Sequence, residues 1–250
     1  MSELAQRVSR RFLLRSGLVA AGGLAAAGTL AACGSSEPAS DASTSSTTTT
    51  TPVRNGDEAL QRLMAGNRRF VEGVPTHQGR DSVRRAAEAE SQAPFAIILG
   101  CADSRVTPEV LFDEGIGDLF LVRVAGNTAE DPILLGSVEY SAEALGSVLL
   151  MVLGHENCGA VKAAVSRVQD GTTQPGHIDS FVDPIIPAVE AVIDTPADQL
   201  VDAAIRKNVQ LQAQELAASE PLLAPLVSEG KLKVVGAEYH LQTGVVEILG

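Results

Sequence analysis

The sequence predicts an α/β fold: a central, mostly parallel β-sheet flanked by helices, with an antiparallel strand at its C-terminal edge. Two short, uninterrupted apolar runs, 95–100 and 148–154, are typical of strands that are buried on both faces of a parallel sheet. Segments with helical periodicity alternate with these runs, as in α/β proteins. Near the C-terminus, apolar runs at 232–238 and 245–249 surround the turn at 242–244 and predict a hairpin.

The remaining elements follow from periodicity and from the residues that start and end them. Asp57 is positioned to cap a first helix, whose apolar side includes Leu60, Leu63 and Met64. The further expected elements are helices over 82–90, after Pro108, over 132–145, from Cys158-Gly159 onward, over 180–192 and over 197–219, with strands over 119–124 and 148–153. No internal repeat is apparent.

Three potential metal ligands directly follow the two apolar runs. Cys101 follows the first run, and His155 and Cys158 follow the second. In open α/β sheets the ligand crevice lies outside the carboxyl ends of the strands, so these side chains should converge. Two thiolates and an imidazole, with a fourth position open, form the ligand set of a catalytic zinc site. Taken singly, each residue has a simpler interpretation, since a buried cysteine often acts as a small hydrophobe.

Two segments carry a family resemblance. Residues 101–105 read Cys-Ala-Asp-Ser-Arg and residues 155–158 read His-Glu-Asn-Cys. They resemble the Cys-x-Asp-x-Arg and His-x-x-Cys signatures of the β-class carbonic anhydrases. The resemblance runs from about Gly56 to the C-terminus, with further matches at 117–123, 125–127, 139–140 and 236–239.

This resemblance implies an activity and a cofactor. It implies one zinc ion per chain, held by Cys101, His155 and Cys158, and reversible hydration of carbon dioxide to bicarbonate and a proton by a zinc-bound hydroxide. It also implies catalytic roles for Asp103 and Arg105. Arg105 would hold Asp103 off the metal, and Asp103 would orient the bound water. If that pair broke, Asp103 could become the fourth ligand and close the site.

The resemblance also implies a substrate pocket and an assembly. The expected pocket residues are Gln92, Phe120, Ala125, Tyr140 and Gly159, and the alternative for Phe120 and Tyr140 is that they are ordinary core residues. In the family the pocket lies at a dimer interface, so we expect a homodimer or a higher even oligomer. The chain has no tryptophan, so we do not expect the noncatalytic bicarbonate pocket that uses one in a subgroup of the family.

Two other functions remain open from the sequence. Carbonyl sulfide or carbon disulfide hydrolysis would use the same metal set, and a non-catalytic zinc-binding lipoprotein would need only the ligands. The presence of Asp103, Arg105 and Gln92 argues against the non-catalytic function. His77, His177 and His240 have no second candidate ligand beside them in the sequence, so we leave them out of the site.

The N-terminus predicts export. Arg10-Arg11 within residues 9–14 resembles the twin-arginine motif, and the weakly apolar stretch 17–32 completes a signal peptide over 1–32. Residues 30–33 resemble a lipobox, so Cys33 would be lipid-modified and would anchor the protein on the outer face of the cell membrane. An ordinary signal peptide with an incidental Cys33 is the alternative.

Composition limits the partners. Residues 33–55 are rich in Ser and Thr and predict a tether, followed by one domain over 56–250. The net charge is −12, and removal of residues 1–32 leaves 15 basic against 30 acidic residues, a net charge of −15. With no basic stripe, nucleic-acid binding is not expected. Of the three cysteines, one is the expected anchor and two are expected ligands, which leaves none for a disulfide.

Overall fold

The computed structural model of the chain describes residues 52–250. The expected signal peptide, the lipidation site Cys33 and the tether up to residue 51 therefore lie outside the described residues. Over 52–250, no helix is both long enough and apolar enough to cross a membrane.

The described part of the chain contains five strands and nine α-helices. The strands are β1 (Ala96–Gly100), β2 (Leu119–Arg123), β3 (Leu149–His155), β4 (Lys233–Tyr239) and β5 (Val246–Leu249). The helices are α1 (Gly56–Val71), α2 (Ser82–Ala87), α3 (Pro108–Leu111), α4 (Pro132–Glu139), α5 (Gly159–Asp170), α6 (Asp179–Val182), α7 (Ile186–Glu190), α8 (Leu200–Ala217) and α9 (Leu223–Ser228). A π-helical turn (Tyr140–Ala144) continues α4, and a 3-10 turn (Asp183–Ile185) joins α6 to α7.

The strands form one sheet in the order β2-β1-β3-β4-β5. β2, β1, β3 and β4 are parallel, and β5 pairs with β4 in the antiparallel direction. The predicted fold class is therefore confirmed. Gly100, the last residue of β1, lies opposite Leu153, and β3 continues for two residues to His155. The register thus brings Cys101 and His155 to the same edge of the sheet.

The central strands β1 and β3 are buried along their whole length. Successive side chains of a strand point to opposite faces, and both faces are covered here. Ile98 and Met151 pack in the cluster that contains residues of α1 and α3, whereas Ile97 and Val152 pack in the cluster that contains residues of α4, α8 and α9. This double coverage explains why both strands are continuous apolar runs in the sequence.

The structure corrects two predicted details. Asn55, not Asp57, caps α1, because its extended backbone lets the side chain accept the N–H groups of Asp57 and Glu58 at 3.0 and 2.9 Å. The helix expected over 180–192 is divided into α6, a 3-10 turn and α7, with Pro184 and Pro187 each near the start of a new piece. Proline lacks the N–H that a continuous helix needs.

Two further differences concern helix ends. The helix expected over 132–145 is α-helical only to Glu139 and continues as the π-helical turn. Helix α9 was not predicted, because its six residues are too few to establish a helical period.

Candidate metal centre

Three buried side chains meet at the carboxyl end of the sheet. Cys101 follows β1, His155 ends β3, and Cys158 lies at the N-cap of α5. One ligand atom from each residue lies within 4.8 Å of the other two. Neither thiol is in a disulfide. The strand register and the start of α5 therefore produce a group that could hold a metal ion.

His155 is oriented for metal binding. Its Nδ1 donates a hydrogen bond of 2.8 Å to the backbone carbonyl oxygen of Glu156. Because a carbonyl oxygen can only accept, Nδ1 carries the proton and Nε2 keeps its lone pair. This Nε2 is buried and has no hydrogen-bond partner within residues 52–250. A buried polar atom without a partner is costly, and a metal ion between Nε2 and two sulfurs would supply the partner. Two thiolates and one imidazole fit zinc.

The two buried thiols lie close together. The pKa of Cys101 lies below its ordinary value, chiefly because of the adjacent Cys158 thiol, with a smaller contribution from the backbone N–H of Gly126. The Gly126 N–H lies 3.4 Å from Cys101 Sγ. The pKa of Cys158 is raised, because it lies against Cys101 and because it is buried. A metal ion held by both sulfurs would require both thiols to lose their protons.

Asp103 and Arg105 form an ion pair beside these ligands. Arg105 donates from its backbone N–H and Nε to Asp103 Oδ1, both at 2.9 Å, and from Nη2 to Oδ2 at 2.7 Å. These hydrogen bonds hold the pKa of Asp103 well below its usual range. Asp103 Oδ2 also lies 3.9 Å from Nε2 of His155. An ionised carboxylate thus stands next to the ligand atoms but is engaged by arginine.

Two contacts at this edge were not predicted from the sequence. Arg123, the last residue of β2, donates from Nε to the Cys101 carbonyl at 3.0 Å and from Nη2 to the Asp103 carbonyl at 2.7 Å. Gly126 has a φ of +79°, and an added Cβ would lie 2.5 Å from Cδ1 of Ile185. Both residues fall in segments that match the family, but their contacts depend on the tertiary fold.

The predicted pocket residues divide into two groups. Ala125 packs against the cluster that contains both cysteines, and Gly159 opens α5 directly after Cys158. Within one chain the structure does not bring Gln92, Phe120 or Tyr140 to this edge. Gln92 precedes β1, at the opposite end of the strand from Cys101. Phe120 lies opposite Ile97 near the start of β1, and its ring centroid is 6.2 Å from that of Tyr140. Their roles stay predictions.

His240 differs from its expected isolation. It lies in the turn after β4, as predicted, but its ring is grouped with the carboxylates of Glu238 and Glu247, with ligand atoms within 4.8 Å of one another. The prediction that it has no candidate partner ligand is therefore wrong. Arg206 already pairs with both carboxylates, at 2.8 Å to Glu238 and 2.9 Å to Glu247. A cationic side chain thus occupies the position that a metal ion would need.

The chain is similar in sequence to known carbonic anhydrases. The family described as carbonic anhydrase matches residues 96–246, more than half of the chain. Carbonic anhydrase 2 of Mycobacterium tuberculosis is 39% identical over 195 residues, which cover 77% of this chain and 92% of that protein. The carbonic anhydrase of Mycolicibacterium smegmatis is 37% identical over 198 residues, which cover 79% and 95%.

The fold is also similar to that of a solved carbonic anhydrase structure. The β-carbonic anhydrase of Coccomyxa, in complex with acetazolamide, aligns with a TM-score of 0.60 and 30% identity over 76% of this chain and 86% of that one. The sheet, the ligand group at its carboxyl edge and the relatives together establish that the chain belongs to the β-class carbonic anhydrase family and is an enzyme with carbonic anhydrase activity.

Proposed function

We propose that the chain catalyses zinc-dependent, reversible hydration of carbon dioxide to bicarbonate and a proton at the cell envelope. One observation carries the zinc assignment. The buried Nε2 of His155 has no hydrogen-bond partner within the described residues, and it faces two cysteine sulfurs beside an ionised aspartate. A zinc ion at this centre would supply a Lewis acid that lowers the pKa of a water molecule to near neutrality.

The chain's own residues prepare the substrate side of the centre. Asp103 stays ionised because Arg105 donates three hydrogen bonds to it. A carboxylate in this position can accept a hydrogen bond from a proton-bearing group at the reaction centre and orient that group. Release of Arg105 would free the Oδ2 atom, which lies only 3.9 Å from the Nε2 of His155. The ion pair is therefore proposed to keep the site open.

We also propose a homodimer, or a higher even oligomer, that completes the pocket. Helix α2 buries none of its side chains within the single chain, and Ile133 of α4 is 79% exposed. β2 is an edge strand. A two-fold axis beside it and perpendicular to the strand would reverse the strand direction of the partner. The partner's amino-end residues would then approach this chain's carboxyl edge, which is how Gln92 and Tyr140 would reach a metal centre.

The cell-envelope location rests on the N-terminal sequence. We propose twin-arginine export followed by lipid modification of Cys33, which would leave the catalytic domain outside the cell membrane on a short tether. Mass spectrometry of the membrane fraction tests this proposal. An acylated N-terminal peptide that begins at Cys33 is expected, and an unmodified peptide would contradict lipidation.

The experiment that tests the activity is stopped-flow carbon dioxide hydration from about pH 6.5 to about pH 9, with zinc measured on the same sample. Rapid turnover that rises with pH, at one zinc per chain, is the expected result. Full zinc without turnover would contradict carbon dioxide as the substrate, and carbonyl sulfide and carbon disulfide would be tested next. Absence of zinc would contradict the metal site itself.

A further inference from the structure

We propose that Glu156 is a positioning residue for the metal ligand His155, and that its side chain acts by fixing its own backbone carbonyl group. The inference rests on the proposed zinc site. The His-x-x-Cys signature leaves this position open, so the glutamate is a feature of this chain and not a requirement of the motif.

The orientation of His155 depends on one hydrogen bond. Its Nδ1–H donates to the carbonyl oxygen of Glu156 at 2.8 Å, which directs Nε2 toward the sulfurs. The acceptor of a ligand imidazole sets the tautomer and the ring orientation. Any movement of the Glu156 carbonyl would therefore turn the ligand atom away from the metal position.

The peptide group that carries this carbonyl is under strain. It joins Glu156 to Asn157, and Asn157 has a φ of +57°, in the left-handed region. A flip of this peptide plane would return Asn157 to negative φ and relieve the strain. The same flip would point the Glu156 carbonyl away from His155. The hydrogen bond that orients His155 therefore depends on Asn157 staying in the left-handed region.

The side chain of Glu156 opposes that flip. Its Oε1 accepts from Nδ1 of His240 at 2.8 Å, and its Oε2 accepts from the backbone N–H of Leu241 at 2.9 Å. The backbone N–H of Glu156 is also held, by the carbonyl of Tyr239 at 3.1 Å. The side chain and the backbone N–H of Glu156 are therefore both hydrogen-bonded to the end of β4 or to the turn that follows it.

His240, which donates to Glu156, is held in turn by a further contact. Nε2 of His240 lies 3.4 Å from Oε2 of Glu247, which Arg206 also holds. The C-terminal hairpin thus supports the ligand turn through a chain of polar contacts, although none of these residues reaches the metal position. This arrangement is a supporting shell around a metal ligand, which typically affects metal affinity strongly.

The test measures zinc affinity by competition with a chromophoric chelator and records the visible spectrum of the cobalt-substituted protein. Glu156→Ala is expected to weaken zinc binding about 10- to 100-fold and to change the cobalt spectrum. Glu156→Gln keeps an acceptor for the Leu241 N–H and should recover most of the affinity. A Glu156→Ala protein with wild-type affinity and an unchanged spectrum would overturn the proposal.

Asn67→Ala is the matched control. Asn67 holds the same turn from its other side, donating to the Gly244 carbonyl and accepting the Val246 N–H, both at 2.9 Å. Its loss should lower the free energy of unfolding while zinc affinity changes by no more than about twofold. If Asn67→Ala weakened zinc binding as much as Glu156→Ala, the effect would be a general loosening of the hairpin, and the positioning role would be wrong.

A double-mutant cycle tests whether Glu156 acts through its contact with His240. His240→Ala alone should weaken zinc binding less than Glu156→Ala, because the Leu241 contact remains. In the Glu156→Ala background it should add little, because the contact that it removes is already lost. Fully additive effects would overturn the route through His240. Wild-type protein that binds no zinc would contradict the proposed metal site, which is a different outcome from every result above.

Discussion

Asp103 lies 3.9 Å from the ligand atom of His155, yet both of its oxygens are engaged by Arg105. This geometry separates catalysis from metal binding, because the carboxylate is adjacent to the centre without belonging to the ligand set. The same separation distinguishes the catalytic function from a zinc-holding function, since zinc binding alone requires neither Asp103 nor Arg105.

Asp103→Ala should therefore lower the hydration rate about 100-fold or more, the usual scale for a group that handles a proton at the reaction centre. Zinc content should stay nearly unchanged. Stopped-flow rates and metal analysis on the same sample measure both quantities. Asp198→Ala, in an exposed position before α8, is the matched control and should behave like the wild type. A full hydration rate in Asp103→Ala would contradict the role assigned to this carboxylate.

Cys158→Ser should have the opposite pattern, because it removes a thiolate ligand and leaves the Asp103–Arg105 pair intact. Alcohols are poor zinc ligands at neutral pH compared with thiolates, so zinc affinity should fall about tenfold or more. Metal analysis after dialysis against a chelator measures the loss. Retention of one zinc per chain after that treatment would mean that Cys158 is not a ligand.

The candidate metal ligands could be predicted from the sequence, but the residues that hold the ligand segments in place could not. Cys101, His155 and Cys158 could be recognised because Cys101 and His155 directly follow continuous apolar runs, Cys158 comes three residues after His155, and parallel strands end at a common edge. The contacts of Arg123 and Glu156 could not be predicted, because they join segments whose pairing only the folded chain fixes. The roles of Gln92 and Tyr140 cannot be assigned from one chain, because both lie away from the metal centre.

At the scale of elements, a buried carboxylate joins α1 and the segment that follows it to the end of α3. The side chain of Asp113, which follows α3, is fully buried. It accepts hydrogen bonds from Arg69 of α1 at 2.7 Å and from the backbone N–H groups of Thr76 and His77 at 2.8 and 3.0 Å. Burial alone would raise the pKa of Asp113, but these donors outweigh it and lower the pKa below its ordinary value.

Asp113→Asn should lower the free energy of unfolding by about 3 kcal/mol at neutral pH, because an amide replaces a charged acceptor that is buried among donors. Since the pKa is lower in the folded state, the wild-type advantage is present above the unfolded pKa of about 4 and is lost as the pH falls below it. Urea unfolding at several pH values measures the difference. Asp198→Asn is the exposed control. A difference that grew toward acid pH would contradict this account.

The predicted and observed ends of the strands and helices differ in how well they agree. The sheet strands agreed within about two residues, as expected for boundaries read from strong periodic patterns. The helix expected over 180–192 was divided where Pro184 and Pro187 fall, a signal that is visible in the sequence. The cap at Asn55 depends on backbone conformation outside the helix, so Asp57 was an equally reasonable choice from the sequence.

At the scale of the whole molecule, the proposed oligomer is supported by the apolar surface of the chain. Ile133 is 79% exposed and Val83 is 77% exposed, and Tyr140 is also exposed. Single exposed apolar residues are ordinary. Here, however, α2 has no buried residue of its own, and α4 lies over the edge strand β2, where Leu134 and Leu135 share a cluster with Phe120. A second copy against this edge would cover Ile133 and complete the pocket.

Ile133→Glu should therefore separate the oligomer while leaving the metal centre intact. Loss of a buried isoleucine and introduction of a charge at each of two symmetric positions should raise the dissociation constant about 100-fold or more. Sedimentation velocity measures the assembly, and zinc analysis and stopped-flow hydration on the same sample measure the centre. Activity should fall with the assembly at unchanged zinc content, because Gln92 and Tyr140 of a partner would no longer reach the site.

Ile193→Glu places the same substitution at another exposed position, after α7, where Ile193 is 39% exposed. This control should leave both assembly and activity unchanged, since it lies outside the α2, β2 and α4 surface. A monomeric wild type with full activity would contradict the shared pocket, and so would an Ile133→Glu variant that is monomeric and fully active. In either case the residues that complete the substrate pocket would have to come from the same chain, at the carboxyl edge beside Ala125 and Gly159.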